Sequence, residues 1–452
     1  MFLLKKRVPS VLVAGIVALF CAQSAWAVIP IQAWTQPSGA RVFLVESPGI
    51  PMLDVKVDFD AGGRRDPANQ AGLSAVTMGM TSKGLAARGN EPALDENQLS
   101  EAWVDLGASF GASAGSDRAS FSLRTLTAPD LLPKAVALAA RQMGEPAFPP
   151  TIWQRERERI SASLKEANTR PGVLANRAFE AAVYGSHPYG YELTEATLAR
   201  IATADMQRFY AGEILPCRAA VSLVGAINRA QADALVQQLL ARLPQPTQGA
   251  AGCPALPAVP EVAPLTAASD INIPFASAQA QVLIGQPGYK RDDPDHFALT
   301  VGNYILGGGG FVSRLTEQVR EKRGLSYSVY SYFAPGLHAG AFTIGLQTRP
   351  DQAAQAVQVS KEVLAKFVAD GPTEAELRAA KDNLIGGFAL RIDNNRKLLD
   401  NVANIAWNNL PLDYLDTWTQ QVKGLTTAQI RAAFERKLQP QKMVTVVLGA
   451  AQ

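Results

Sequence analysis

Two residue types limit the chemistry this chain can do by itself. It holds three histidines, His187, His296 and His338, and three cysteines among 452 residues. No two histidines share a helical turn, so no H-x-x-E-H motif exists, and no C-x-x-C either. Zinc fingers and the common His-pair zinc enzymes need such pairs, because ligands three or four residues apart can face one metal from one helix or turn. Built from this chain alone, both are excluded. A second set of residues offers different chemistry. Arg320 and Tyr327 could offer a guanidinium fork and a phenolic O–H as hydrogen-bond donors. By spacing alone they read equally well as a surface charge and a strand aromatic, because Tyr327, Val329, Ser331 and Phe333 alternate as on one face of a strand.

The elements that must position these residues are written twice. IATADMQRFYAGEILPCRAAVSLVGA, Ile201 to Ala226, returns as LTTAQIRAAFERKLQPQKMVTVVLGA, Leu425 to Ala450, at a constant offset of 224 residues. Each copy reads as a Thr-capped helix (Thr203, Thr427), a turn at Pro216 or Pro440, and an apolar strand ending at Gly225 or Gly449. Val55–Phe59 and Gln281–Ile284 alternate like opening strands, and each leads to an Arg-Asp…Pro stretch. A period this long excludes a solenoid and means a duplicated domain of about 200 residues. Pro244 to Pro264 is rich in Pro, Ala and Gly and reads as an extended linker. The predicted domains are therefore 28–243 and 265–452, joined by 244–264. Ile152–Glu166 and Thr373–Arg391 read as helices and Ser116–Leu126 as a strand, which makes the fold class α+β: antiparallel sheets with packed helices.

Residues 1–27 carry an address. Lys5, Lys6 and Arg7 precede an apolar run, Val11 to Phe20, and an A-x-A cleavage pattern, Ala25-Trp26-Ala27. This reads as a secretory signal peptide, and the apolar core is short for a membrane span. Its removal takes three of the 43 Lys and Arg and none of the 40 Asp and Glu. The mature chain is then neutral, so the formal charge of +3 belongs to the leader. No basic field remains for nucleic acid or anionic lipid. No second apolar run is long enough to span a bilayer. Cys217 and Cys253 are the cysteines left after cleavage. In an oxidising compartment they could pair; the sequence is equally compatible with two isolated thiols.

Two segments resemble the pitrilysin and mitochondrial-processing-peptidase family of zinc metallopeptidases. In AGGRRDPANQAGLSAVTMGMTSKG, Ala61 to Gly84, Gly72-Leu73-Ser74 matches the start of that family's inverted zinc motif, Gly-Leu-Ala-His-x-x-Glu-His. The two His positions hold Ala75 and Gly79, and the Glu position holds Met78. Counting back from Pro171 puts the third ligand position at Ser163; Glu156 matches a supporting Glu upstream. Ala and Gly offer no lone pair, and a thioether cannot take a proton. Leu73, Val76, Met78 and Met80 are then simply core residues. LGGGGFVSRLTEQVREKRGLSYSVYSYF, Leu306 to Phe333, resembles the second half of the family, with its Ser-Arg-Leu and Arg-Glu-x-x-Gly-Leu-x-Tyr strings. There the resemblance makes Arg320 and Tyr327 the family's substrate-contacting pair across the cleft from zinc. It also makes Gly308 and Gly309 candidate substrate contacts. His187-Pro188-Tyr189 is a further family match. Its histidine stands alone on a loop and is expected to make structural hydrogen bonds, as are His296 and His338.

The resemblance implies the processing-peptidase (LuxS-like metallohydrolase) fold of two similar halves. It also implies a division of labour known in short bacterial members. One subunit carries zinc, and the other carries the Arg/Tyr pair without zinc. This sequence looks like the second kind. The expectation is a non-catalytic subunit of a periplasmic heterodimeric zinc metallopeptidase. It would bind no metal or cofactor itself, with zinc in the partner, peptide as substrate, no nucleic acid, and no membrane after signal cleavage. The alternative is a catalytically inactive peptide-binding or scaffold protein of the same fold.

Overall fold

The computed structural model describes residues 29–244 and 253–449. The expected signal peptide and linker positions 245–252 lie outside the described residues. In the first half the strands are β1 (Gln32–Thr35), β2 (Arg41–Glu46) and β3 (Met52–Phe59). A small ribbon, β4 (Gly84–Leu85) with β5 (Leu94–Asp95), precedes β6 (Ser109–Ala114), β7 (Ala119–Leu126) and β8 (Ala220–Gly225). The second half has β9 (Ser269–Ile273), β10 (Ala280–Tyr289), β11 (Val329–Phe333), β12 (Gly340–Thr348) and β13 (Val444–Leu448). Two sheets form, β1-β2-β8-β3-β7-β6 and β11-β12-β10-β13-β9.

Five strands of the first sheet have counterparts in the second, and β1 is an addition at its edge. β3 lies antiparallel between β7 and β8, as β10 lies between β12 and β13. The same outer strands run parallel: β2 with β8, and β9 with β13. The repeat read from two short stretches extends further. Helices at Pro150–Ala167 and Pro171–Tyr184 reappear at Glu374–Gly386 and Asn395–Trp407, and both starts obey the offset of 224. One detail differs from the sequence reading. Thr203 and Thr427 are the first helical residues, and the cap lies one position earlier. Thr426 Oγ1 accepts from Gln429 N–H in the second copy; Ala202 has no side-chain oxygen, and Asp205 instead accepts from its N–H at 2.8 Å.

Each sheet buries one face under its own helices. Phe59, Phe121, Val221 and Leu223 anchor the first core, and Phe342, Ile344, Phe367 and Phe434 the second. The other face of each sheet is covered by a helix from the opposite half. Ala175, Phe179 and Val183 of the 171–184 helix pack on Leu283, Val444 and Val446 of the second sheet. Leu398, Val402 and Ile405 of the 395–407 helix pack on Val45 and Val224 of the first. The boundary read along the chain is therefore not the boundary in packing. Removing a large side chain from such a seam costs about 3–5 kcal/mol, so the exchanged helices fasten the halves together. Among the described residues no helix is long and apolar enough to cross a membrane.

Candidate functional site

The helix Leu73–Met80 is the element on which the resemblance places a zinc motif. Asp66 holds its N-terminus: the carboxylate accepts from Gly72 N–H at 2.8 Å and Ser74 N–H at 2.9 Å. Leu73, Val76, Met78 and Met80 face the core, and Met78 is 1% exposed. Ala75 and Gly79, one helical turn apart, form the exposed stripe. A Cβ added at Gly79 would meet nothing within 4 Å. The side that would carry ligands is thus open to solvent and holds no donor atom. Ser163 is exposed on the 150–167 helix, as are Glu158 and Glu166.

Glu156, on the same helix as Ser163, is a buried carboxylate, and it is already satisfied. Lys83 Nζ at 3.3 Å, Arg155 Nη2 at 3.0 Å and Arg159 Nη2 at 2.9 Å surround it. Burial pushes the Glu156 carboxyl up, but the Arg159, Arg155 and Lys83 donors outweigh this and hold it below its ordinary value. Glu96 joins the network through Arg155 at 2.7 Å and Lys83 at 3.3 Å. Among the described residues no three His, Cys, Asp or Glu come together as a metal cluster. The residues at the zinc positions do not fit a zinc ion: two lack any ligand atom, and the third is a neutral hydroxyl.

The second half brings its two candidates together. Arg320 belongs to a π-helical stretch, Thr316–Glu321, and Tyr327 follows it in the turn before β11. The guanidinium carbon lies 5.0 Å from the Tyr327 ring centroid, a cation–π contact. Tyr327 is 83% exposed. Its hydroxyl makes no hydrogen bond among the described residues. The strand alternation read from sequence begins only at Val329: Val329 and Ser331 are buried, while Tyr330 and Tyr332 face out, their rings 6.0 Å apart. Tyr327 therefore does not share the face of Val329. The cause is Ser326, whose hydroxyl accepts from Ser328 N–H at 3.2 Å and lies 2.7 Å from the Gln347 carbonyl. This local turn interrupts the strand pattern. Gly308 is exposed and Gly309 half-buried, in the turn that follows a second π-helical stretch, Tyr304–Gly308. Two π segments flanking one loop re-aim the side chains between them, and such segments are frequent at functional sites.

His187 and His338 serve the joint between the halves and its linker. His187 Nε2 lies 3.0 Å from the Pro260 carbonyl, and its Nδ1 accepts from Tyr189 N–H at 3.1 Å. That pairing fits a neutral ring with the proton on Nε2; burial lowers its pKa to match. His338 stands beside it, ring centroids 5.2 Å apart, with Glu261 at 3.2 Å. Tyr189 and Asp117 cross the joint: Tyr189 O–H donates to Asp117 at 2.6 Å, and Asp117 accepts from Leu337 N–H at 3.0 Å. His296 Nδ1 lies 3.0 Å from the Tyr289 hydroxyl. Cys217 and Cys253 are joined by a disulfide, with Cα atoms 5.6 Å apart. From there the linker is pinned: Arg218 donates to the Pro254 carbonyl, Arg65 to Pro257, and His187 to Pro260. Sequence reasoning took this stretch as a spacer. A spacing of three among its prolines was the available signal, since an extended proline-type strand turns once in three residues and puts such carbonyls on one face.

Comparison with known proteins agrees with this geometry. Residues 41–197 match the family described as insulinase, peptidase family M16, and residues 200–384 match the peptidase M16 inactive domain. The crystal structure of a peptidase M16 inactive domain from Pseudomonas fluorescens shares 34% identity and a TM-score of 0.86, covering 93% of this chain and 98% of that one. An uncharacterised zinc protease of Mycobacterium leprae is 26% identical over 402 residues, 88% of this chain and 87% of its own. A non-peptidase homolog of Helicobacter pylori is 24% identical over 389 residues, 84% of this chain and 85% of its own. The chain belongs to peptidase family M16. It has the family's α+β scaffold of antiparallel-rich sheets and packed helices.

Proposed function

We propose that this protein is the non-catalytic subunit of an exported, periplasmic heterodimeric zinc metallopeptidase. The observation that carries the reading is a contrast within one chain. The metal stripe presents Ala75 and Gly79 to solvent, while half-buried Arg320 and exposed Tyr327 are held together, with the Arg320 terminal nitrogens and the Tyr327 hydroxyl uncommitted among the described residues. In this reading the partner, a zinc-bearing member of the same family, supplies the Lewis acid. The residues of this chain bind and orient. The Tyr327 hydroxyl donates to the carbonyl oxygen of the scissile bond as negative charge grows there, and the Arg320 fork holds a neighbouring backbone carbonyl. A peptide gripped through its backbone is chosen for being extended more than for its sequence.

Two measurements test this. The tagged chain, purified from the cells that make it, should bring down one stoichiometric chain with an intact H-x-x-E-H motif, and the pair should contain zinc and cleave casein. Recovery of the chain alone, with peptide binding but no such partner, would favour a scaffold protein instead.

A further inference from the structure

Phe311 is a large apolar side chain left 73% exposed, beside Val312 at 72%. Core packing does not explain it. The loop before it is tightly built. A Cβ at Gly307 would stand 2.4 Å from Ser331 Oγ and 2.6 Å from Ser331 N, and Gly310 has a φ of +61°. The close approach and the left-handed residue turn the chain so that Phe311 meets Arg320. The Arg320 guanidinium carbon is 4.6 Å from the Phe311 ring centroid, closer than the 5.0 Å to Tyr327. Its one ion pair, Nε to the exposed carboxylate of the neighbouring Glu321 at 3.3 Å, is weak. Among the described residues its terminal nitrogens donate no hydrogen bond. Two aromatic rings therefore orient the guanidinium plane while leaving its terminal N–H groups free.

We propose that Phe311 is a positioning residue: its ring holds the Arg320 guanidinium in the plane from which its terminal N–H groups grip a backbone carbonyl of an extended peptide. This rests on the functional reading above. It gives the glycine-rich turn a role other than direct substrate contact: the turn delivers Phe311.

The test uses the complex purified with tagged variants of this chain, and casein as substrate. Phe311→Ala lowers kcat/KM by about threefold to tenfold, the scale of one exposed cation–π contact and the misplacement that follows its loss. Phe311→Leu, apolar but without a ring face, falls equally, and Phe311→Tyr restores the rate. In the isolated chain, the Arg320 Nε–H resonance is shifted upfield by the rings and returns toward its free value in Phe311→Ala. Thermal stability stays at the parent value in all three. Full activity in Phe311→Ala while Arg320→Ala is impaired would overturn the inference and leave the functional reading standing. Full activity in Arg320→Ala would instead remove the functional reading; the Nε–H resonance then decides the placement of Arg320, and an unshifted signal in the parent would overturn it.

Discussion

The two halves share strand order, helix order and a 224-residue repeat, but what they show to solvent is opposite. The first half exposes Ala75 and Gly79 on the helix where the resemblance puts metal ligands, and buries Met78 beneath them. The second half exposes Phe311 and Tyr327 against Arg320, and Tyr330 and Tyr332 on the edge strand β11 of its sheet. The difference shows how burial constrains one face of a helix and leaves the other free. Burial positions on the 73–80 helix carry the packing energy and are apolar. The exposed stripe carries none, so the core places no demand on Ala75 or Gly79. Polar and aromatic groups kept on a surface at no benefit to stability point the other way, toward a binding role.

Four changes would break or sharpen this contrast. The largest effect is expected from Met78→Glu. It buries a carboxylate with no cation beside it and should cost about 3–5 kcal/mol, read as a fall in the urea midpoint. A variant as stable as the parent would mean that the helix is not core. Next, the first half is tied to the linker by Cys217–Cys253, while the position matching Cys217 in the second half is Gln441. Replacing both cysteines by Ser should lower stability by about 4 kcal/mol from loop entropy, with amide exchange rising first around the pinned linker. A rise confined to the second sheet would argue against the pinning.

A smaller effect comes from His296. Burial, aided by Arg291, lowers its pKa from 6.5 to about 3. Below pH 6.5 the unfolded chain binds the proton and the folded chain does not. Stability therefore falls as pH drops from about 6.5 toward 3, by at most about 1.4 kcal/mol per pH unit. His296→Gln should flatten that slope in denaturation curves taken from pH 7 to 4; an unchanged slope would show that His296 does not contribute. The smallest effect is expected at the metal stripe. Ala75→Ser should stay within about 0.5 kcal/mol of the parent in the same assay. A larger loss would mean that this surface is engaged after all.

Much of this was legible in the sequence, and the rest was hidden for physical reasons. Thr203, Pro216 and Gly225 announced the repeat because local turn and helix-start chemistry is short-range. The shared face of Ala75 and Gly79 was legible because residues four apart on a helix lie one turn above each other. The exchange of the 171–184 and 395–407 helices was not, since an apolar stripe states that a face is buried and not which sheet buries it. Tyr327 was ambiguous because alternation continues through it on paper, whereas Ser326 breaks the strand with its own hydroxyl. Phe311 was missed because its meaning depends on a contact with Arg320 that a π-helical turn creates.

The central claim is that the second half of this chain serves a reaction whose metal lies elsewhere. It is tested most directly by assembling the native complex with Tyr327→Phe and, separately, with Ala75→Ser, and measuring casein cleavage at equal zinc content. The account predicts that Tyr327→Phe assembles normally and loses about tenfold to a thousandfold in kcat, while Ala75→Ser cleaves at the parent rate. Equal rates for Tyr327→Phe and the parent would contradict it.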